Sequence, residues 1–189
     1  MNVLHELLPP SSWVVRWSGL VKPGASVLDV ACGSGRHLKW FLDRSCGVTG
    51  VDRDIAAARQ NAPAAELIEA DIEQGPWPLM TDGKARQFDA VVVTNYLWRA
   101  LMPTLLDSLA PGGVLIYETF TAGNETVGRP ARPDFLLRHG ELLEICSGLR
   151  VVGYENGFLT DPDRFVQRIA AVKPAPTDSP GGDVVRYAL

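Results

Sequence analysis

The sequence predicts a doubly wound α/β fold, in which helices cover both faces of a mostly parallel, seven-stranded sheet. From about Ser26 onward, short β-branched runs alternate with longer helix-like stretches. Such alternation gives right-handed β-α-β units, and strands that are apolar on both faces are typical of a parallel sheet covered by helices. The chain has 189 residues, of which 46% are hydrophobic, a size and composition that suit one domain with a proper core.

Five strands and three helices are predicted in the first part of the domain. The strands are Ser26–Cys32, Gly47–Arg53, Ala65–Asp71, Phe88–Asn95 and Gly113–Phe120. The helices are Gly35–Arg44, Asp54–Asn61 and Pro103–Ala110. Asp54 is the expected N-cap of the second helix, and Pro103 suits a first helical turn, where a missing N–H costs nothing. The third helix is expected to end before the Pro-Gly-Gly sequence that follows Ala110.

The pattern changes after the fifth strand. A polar loop over Thr121–Asp134 leads to a helix around Gly140–Ser147. Two further strands follow, near Leu149–Glu155 and Arg164–Lys173, which brings the predicted sheet to seven strands.

The two ends of the chain differ in composition from the alternating part. His5–Leu20 has a helical pattern with a break at two prolines, and we expect residues 1–20 to form an N-terminal helical cap. Residues 174–189 are rich in Pro, Gly, Ser and Thr, which favours an extended tail. The prediction is therefore one domain over residues 1–173, followed by that tail.

Composition and charge exclude several classes of function. Lys and Arg number 18 against 22 Asp and Glu, so the net charge is 18 − 22 = −4, which argues against a nucleic-acid partner. No apolar run approaches the roughly 20 residues that span a bilayer, and the N-terminus does not have the pattern of a secretory signal. Three cysteines without CxxC spacing favour a reducing cytoplasm, and three scattered histidines predict no metal site.

The strongest motif is the sequence VLDVACGSGRH over Val27–His37. An apolar strand ends in Asp29, and a loop with Gly33 and Gly35 then opens a helix, an arrangement that brings backbone N–H groups close to a ligand. Taken alone, the motif also fits a strand-end cap followed by a simple turn. Asp52 and Asp71 end the next two strands, and the carboxyl ends of neighbouring parallel strands face one crevice, so three carboxylates are predicted to line one ligand.

Two nucleotide-binding patterns fit this motif poorly. A dinucleotide fingerprint, G-x-G-x-x-G, needs a third glycine where this chain has Leu38. The phosphate-binding pattern G-x-x-x-x-G-K-[ST] does not occur. A ligand with adenosine but no phosphate is the better match.

On these residues, the sequence resembles the class I S-adenosylmethionine-dependent methyltransferases over roughly Val21–Lys173. The family's first motif is matched by LDVACGSG, with Ala31 in place of the first glycine. The short ETF-x-x-GNE stretch is similar to small bacterial methyltransferases of the tellurite-resistance type. The resemblance implies a Rossmann-like methyltransferase fold and S-adenosylmethionine as cofactor.

The resemblance also implies roles for the residues at the methionine end of the cofactor. Asp29 would face the methionine amino group, often through water. The backbone at Ala31, Gly33 and Gly35 would pass the methionine and ribose portions, with a tighter approach at Ala31. Arg16 lies beside Trp13 and Trp17 on one helical face, a stripe that is more often core than ligand platform, and is a candidate for the cofactor carboxylate.

At the adenosine end, the resemblance implies four further contacts. Asp52 would accept from both ribose hydroxyls, and Arg53 would lie against the adenine side. Asp71 would accept from the adenine amino group, while Ile72 would offer a backbone N–H to the ring.

The fourth strand ends in TNYLWR, where the acceptor of the methyl group is expected. Asn95 is interpreted as facing the cofactor, with Tyr96 and Trp98 toward the acceptor. A helix-anchoring core role is an equal alternative for Trp98. The prolines that nucleobase and glutamine N-methyltransferases carry at this place are absent, which disfavours nucleobase chemistry.

The loop Thr121–Asp134 is predicted to form a lid over the acceptor, since it leaves the sheet at the rim that holds the cofactor. Asn124, Arg129 and, on the preceding strand, Glu118 are candidate substrate contacts, and Arg129 would suit an anionic acceptor. The alternative is a solvated connection whose charges touch nothing.

Together these features predict an S-adenosylmethionine-dependent methyltransferase that transfers the methyl group in line to a small-molecule acceptor. A sulfonium methyl group is already activated, so no catalytic residue is assigned. Two alternatives stay open: a module that binds S-adenosylmethionine without turnover, and, less favoured, an NAD-dependent oxidoreductase.

Overall fold

The computed structural model describes residues 7–175 and 186–187. Within these residues nine strands occur, numbered along the chain: β1 Ser26–Val30, β2 Gly47–Asp52, β3 Glu66–Glu69, β4 Met80–Thr81, β5 Lys84–Ala85, β6 Phe88–Thr94, β7 Leu109–Phe120, β8 Arg150–Leu159 and β9 Arg164–Val172. The α-helices are α1 Ser12–Trp17, α2 Arg36–Leu42, α3 Ala56–Asn61, α4 Met102–Asp107 and α5 Glu141–Ile145.

Seven of the strands form one sheet in the order β3-β2-β1-β6-β7-β9-β8. The neighbours from β3 to β7 pair in parallel, whereas β9 runs antiparallel to both β7 and β8. The order reverses between β1 and β6, and in open α/β sheets ligands bind beside such a reversal, outside the carboxyl ends of the strands. The predicted fold class is confirmed.

Alternate residues along the strands enter two separate hydrophobic cores. One core contains Leu28 and Val30 of β1 with Leu105 of α4 and Leu142 of α5. The other contains Val27 of β1 with residues of α1, α2 and α3. The helices therefore cover both faces of the sheet, and this explains why β1 and β6 are buried on both faces.

The helix α1 is anchored in the second core by its two tryptophans. Trp13 and Trp17 are each 2% exposed and meet edge to face, with ring centroids 5.5 Å apart. The ring of Trp17 lies on Gly153 of β8, where a Cβ atom would overlap it. The tryptophan stripe is thus core, as the sequence favoured.

Several boundaries differ from the predicted ones. The N-cap of α3 is Ile55, although the Asp54 carboxylate one residue earlier does accept the Ala56 N–H at 3.0 Å. The third predicted helix is preceded by a 3-10 turn at Arg99–Leu101 and ends at Asp107, because β7 already begins at Leu109. The hairpin of β4 and β5 was not predicted.

The predicted ends of the chain are described only in part. Residues 1–6 of the expected N-terminal cap and residues 176–185 and 188–189 of the expected tail lie outside the described residues. In the described part of residues 1–20, Ser11 follows the two prolines and caps α1. A 3-10 turn at Ser18–Leu20 comes directly after α1.

No helix within residues 7–175 is long and apolar enough to cross a membrane. The same described part of the chain holds no group of three or more His, Cys, Asp or Glu side chains placed to bind a metal ion.

Candidate functional site

A cavity of about 400 Å³ opens at the carboxyl ends of β1, β2 and β3. We call it the cofactor cavity. The residues that line it are Ala31, Asp52, Arg53, Ala70, Asp71, Ile72, Glu73, Gln74 and Tyr96. Six of the positions expected to contact the cofactor or the acceptor, namely Ala31, Asp52, Arg53, Asp71, Ile72 and Tyr96, thus meet at one place.

The carboxylate of Asp52 is held at the mouth of this cavity by two backbone N–H groups. Gly33 donates to Oδ2 at 2.8 Å, and Asp54 donates to Oδ1 at 3.1 Å. Each carboxylate oxygen keeps a lone pair for a further donor. The side chain is therefore preorganised to accept from a ligand with two neighbouring hydroxyl groups.

Asp71 follows β3 and organises the turn behind it. Its Oδ1 accepts the N–H groups of Glu73 at 3.0 Å and Gln74 at 3.1 Å. These bonds fix Glu73 at the rim and leave Oδ2 of Asp71 for an external donor. Between the two carboxylates, Ala70 and Ile72 give the cavity an apolar surface on which a planar ring can lie.

The loop after β1 depends on three residues with positive φ. Ala31, Gly33 and Gly35 have φ values of 54°, 52° and 82°. Only glycine adopts this region freely, which makes Ala31 the strained member of the loop. Gly35 has a second constraint, since a Cβ atom there would lie 3.2 Å from Cα of Ala58 in α3.

Leu38 occupies the place of the third glycine of a dinucleotide fingerprint. Its Cδ1 atom lies between α2 and β2, 2.8 Å from where a Cβ atom of Gly50 would be. The leucine side chain therefore fills the space between α2 and β2. In a dinucleotide-binding fold a glycine at this position lets the helix and the strand contact each other directly.

Asp29 lies beneath the loop and is 1% exposed. Burial raises the pKa of its carboxyl group to about 8; Arg36 lowers it in part, and the charge of Asp52 raises it further. Its Oδ2 atom has no hydrogen-bond partner among the described residues. At neutral pH this carboxyl group is therefore mostly protonated, and its unpartnered oxygen can accept a hydrogen bond from an amino group.

His37 separates Asp29 from the N-terminal segment. Burial holds the pKa of this histidine at about 3, so the ring is neutral. Its Nε2 accepts the Ser11 N–H at 3.1 Å, which places the ring proton on Nδ1, 3.8 Å from Oδ2 of Asp29.

Replacing Asp29 is expected to change how stability depends on pH. The pKa of Asp29 is about 8 in the folded chain and 3.8 without the surroundings that the fold provides. Between these two pH values the folded state retains a proton that the unfolded state has lost. The contribution of Asp29 to the free energy of unfolding therefore falls as pH rises from about 4 to about 8. As pH rises from 5 to 8, the parent should lose free energy of unfolding that Asp29→Asn does not lose. The stability of the variant relative to the parent should therefore increase over this range.

Urea unfolding at several pH values measures this difference. His37 contributes a slope of the opposite sign between about pH 3 and pH 6.5, but it is present in both proteins and largely cancels. A difference that is independent of pH would contradict the raised pKa of Asp29.

A second cavity of about 250 Å³ adjoins the first, and we call it the acceptor cavity. Its lining residues are Glu73, Asn95, Tyr96, Leu97, Thr119, Phe120, Pro130 and Phe135. Glu73 and Tyr96 line both cavities. Burial and the Glu73 carboxylate raise the pKa of the Tyr96 hydroxyl, so it stays protonated at neutral pH.

The structure does not bring every expected contact to these cavities. Arg16 stacks on the rings of Trp13 and Trp17 and donates to Glu155 of β8 at 3.2 Å, away from the cofactor cavity. Asn95 lines the acceptor cavity instead of the cofactor cavity. Trp98 lines neither the cofactor cavity nor the acceptor cavity. Its side chain is 36% exposed, so the alternative role of a core residue that anchors a helix does not fit either.

Glu118 and the loop after β7 also differ from their expected roles. Glu118 is 1% exposed and accepts from Ser11 Oγ at 2.9 Å and Arg168 Nη1 at 3.1 Å, so both of its oxygens bind protein. Asn124 is buried and uses its amide group within the fold. Arg129 is exposed and does not line the acceptor cavity. The loop does border that cavity, through Pro130 and through Phe135 at its end.

Sequence reasoning missed seven of the lining residues: Ala70, Glu73, Gln74, Leu97, Thr119, Phe120 and Pro130. It also missed Phe135, one residue beyond the expected loop. Glu73 and Gln74 were accessible to it, because an Asp at a strand end commonly accepts from the N–H groups two and three residues on.

Comparison with known proteins agrees with this geometry. Residues 27–113 match a family described as a methyltransferase domain, a span that runs from β1 to the start of β7 and includes most of the cofactor cavity. The match covers 87 of the 189 residues, and over these residues the chain is similar to a methyltransferase domain.

Among curated proteins, the chain is similar to ribosomal protein L11 methyltransferase from Burkholderia thailandensis, with 42% identity over 102 residues. This match covers 49% of the chain and 31% of the relative. It is also 32% identical over 113 residues to malonyl-[acyl-carrier protein] O-methyltransferase from Serratia marcescens, covering 56% of the chain and 42% of that protein. The matches span less than half of each relative's length.

Among solved structures, TehB from Haemophilus influenzae superposes with a TM-score of 0.71 at 19% sequence identity. The match covers 87% of this chain and 62% of that chain. This likeness confirms the predicted fold.

Proposed function

We propose that the chain transfers a methyl group from S-adenosylmethionine to a small-molecule acceptor. The observation that carries the proposal is the cofactor cavity, where two fixed carboxylates flank an apolar surface at the carboxyl ends of β1 to β3. S-adenosylmethionine, when bound, supplies a methyl group on a positively charged sulfur. The protein then has to bind the cofactor, orient the acceptor in line and exclude water.

Each part of the proposed cofactor has a suitable partner in the chain. Asp52 is placed to accept from the two ribose hydroxyls, and Oδ2 of Asp71 from the adenine amino group. Ile72 lies where its N–H and apolar side chain suit the adenine ring. The unpartnered Oδ2 of Asp29 suits the methionine amino group, directly or through water.

A small acceptor is supported by the size of the acceptor cavity. It measures about 250 Å³, below the roughly 300–1,000 Å³ of pockets that hold drug-sized ligands. The name of the Serratia marcescens relative specifies O-methylation of a malonyl group, whereas the name of the Burkholderia thailandensis relative specifies a protein acceptor. Those matches cover roughly half of this chain, so the local cavity is the better guide to its acceptor.

Calorimetric titration with S-adenosylmethionine, S-adenosylhomocysteine and NAD tests the proposed cofactor. We expect binding of the first two and no binding of NAD, because Leu38 lies where a dinucleotide-binding fold needs a glycine for close packing of the helix on the strand. Binding of NAD without binding of S-adenosylmethionine would overturn the proposal in favour of an oxidoreductase.

Transfer itself is tested with a labelled methyl donor and a panel of small acceptors. Label in a small-molecule product supports the proposal, whereas binding without transfer to any acceptor favours a module that binds the cofactor without turnover. Label in protein would assign a protein acceptor instead. Gel shifts with DNA and tRNA at physiological salt are expected to be negative, given the net charge of −4.

A further inference from the structure

We infer that the acceptor cavity takes a small molecule with an apolar body and no negative charge, and not an oxyanion or another anion. This inference rests on the proposed function, since it names the acceptor class for the same site. Glu73 and Tyr96 line both cavities, so a molecule in the acceptor cavity lies next to a cofactor in the cofactor cavity. Its reactive heteroatom belongs at that shared end.

The walls of the acceptor cavity are mainly apolar. Leu97, Phe120, Pro130 and Phe135 provide them, and the polar groups are confined to Asn95, Thr119 and the two shared residues. Burial of apolar surface contributes about 25 cal/mol per Å², so these walls favour a ligand that has a hydrocarbon or aromatic body. An anionic body would lose its hydration here without a cationic side chain to replace it.

The wall at Phe135 is fixed by the Arg99 guanidinium. Arg99 donates to the carbonyl oxygens of Asp134 at 2.9 Å and Leu136 at 2.8 Å, the two residues that flank Phe135. The same guanidinium pairs with the buried carboxylate of Glu141 through Nε at 2.6 Å and Nη2 at 3.0 Å. Phe135 is therefore held in place although its side chain is partly exposed.

The wall at Pro130 is fixed by the buried amide of Asn124. Its Nδ2 donates to the Pro130 carbonyl at 3.0 Å, and its Oδ1 accepts the Phe165 N–H at 3.1 Å. Both walls are thus built before a ligand arrives. A preformed apolar pocket loses little conformational entropy when a ligand binds, so it can discriminate between ligands by their shape and charge.

Charge is the second argument against an anion. No Lys, Arg or His is among the eight lining residues, and the ionisable groups there are the Glu73 carboxylate and the Tyr96 phenol. Asp52 and Asp71 add negative charge in the neighbouring cavity, where Arg53 offsets one of the two. An anionic acceptor would find no counter-charge among the residues that line the acceptor cavity itself, and Arg129, which was expected to supply one, lies outside it.

Three probes of one shape and different charge test this inference: benzyl alcohol, benzoate and benzylamine. Each is titrated at pH 7.5 into the full chain saturated with S-adenosylhomocysteine, and binding is followed by NMR chemical shifts. We expect benzyl alcohol and protonated benzylamine, which the Glu73 carboxylate can pair with, each to bind at least tenfold more tightly than benzoate. Selenite, an inorganic oxyanion, is expected not to bind.

Phe135→Ala is expected to weaken binding of benzyl alcohol at least threefold, because one wall of the cavity is removed. Phe158→Ala is the matched control, since Phe158 has a similar exposed fraction, 44% against 39% for Phe135, and lies outside the cavity. Thermal unfolding of both variants verifies that they are folded.

The outcomes separate this inference from the function on which it rests. Absence of S-adenosylhomocysteine binding would overturn the proposed function itself. If S-adenosylhomocysteine binds but benzoate or selenite binds as tightly as benzyl alcohol, or if none of the probes binds, the inferred acceptor class is wrong. Equal loss of binding in the Phe135 and Phe158 variants would likewise contradict it.

Discussion

Asp52→Ala is expected to lower the affinity for S-adenosylmethionine and S-adenosylhomocysteine at least tenfold. The variant loses charge-assisted hydrogen bonds to two hydroxyl groups, a loss of about 1.5–3 kcal/mol. It also frees the Gly33 and Asp54 N–H groups that the carboxylate holds at 2.8 and 3.1 Å, so the loop loses part of its preorganisation. Calorimetric titration of both ligands measures the effect.

Asp43→Ala is the control for the removal of a carboxylate. Asp43 pairs with Lys39 on the exposed side of α2, at 2.9 Å, and lines neither cavity. We expect this variant to bind both ligands as the parent does. Parent-like affinity in the Asp52 variant would remove Asp52 from the ribose site.

The largest effect on stability is expected from Gly153→Ala. A Cβ atom at this position would overlap Cζ2 of Trp17 and lie 2.8 Å from its Cε2. Trp17 is held by the rest of α1, where Trp13 Nε1 donates to the Ile169 carbonyl at 3.1 Å, so the ring has little room to retreat. Overpacking of this kind costs about 1–3 kcal/mol.

At this chain length a loss of 3 kcal/mol lowers Tm by roughly 6–12 °C, which differential scanning calorimetry resolves. Gly157→Ala, on the same strand, is the matched control, because a Cβ atom there meets no atom within 4 Å. An equal Tm change in the two variants would show that Trp17 does not pack on Gly153 as described.

The cofactor half of the site was predictable from the sequence because it follows from strand ends. Once the strands before Asp52 and Asp71 are recognised, parallel order alone brings the two carboxylates to one edge of the sheet. Ala31 was predictable as a departure from the family motif. The structure shows that this alanine has a φ of 54°, a backbone conformation that is strained for a residue other than glycine.

The acceptor half was less predictable because it depends on contacts between distant residues. Arg99 and Glu141 are 42 residues apart, and Ser11 and Glu118 are 107 apart. The sequence therefore suggests that Glu118 is an acid at a strand end with no partner in the protein. In the structure its carboxylate accepts hydrogen bonds from Ser11 and Arg168. Charged residues in a loop do not reveal whether they face a ligand or a partner within the protein.

The missed hairpin has a different reason. Its turn is the Asp-Gly pair at 82 and 83, both with positive φ, which is a recognised hairpin signal. The strands on either side are only two residues long, so no alternating hydrophobic pattern accompanies the turn.

The position of β9 has a consequence for synthesis on the ribosome. Of the strands that the structure describes, β9 is the last to be made, yet it lies between β7 and β8 and pairs with both. While residues 150–159 emerge, β8 has no neighbour in the sheet, and the edge of β7 keeps its backbone hydrogen-bonding groups unpaired. An open edge of this kind can pair with the edge of another chain. A stop codon placed just before Arg164 should therefore yield an aggregating product, even though every strand of the parallel block would be present.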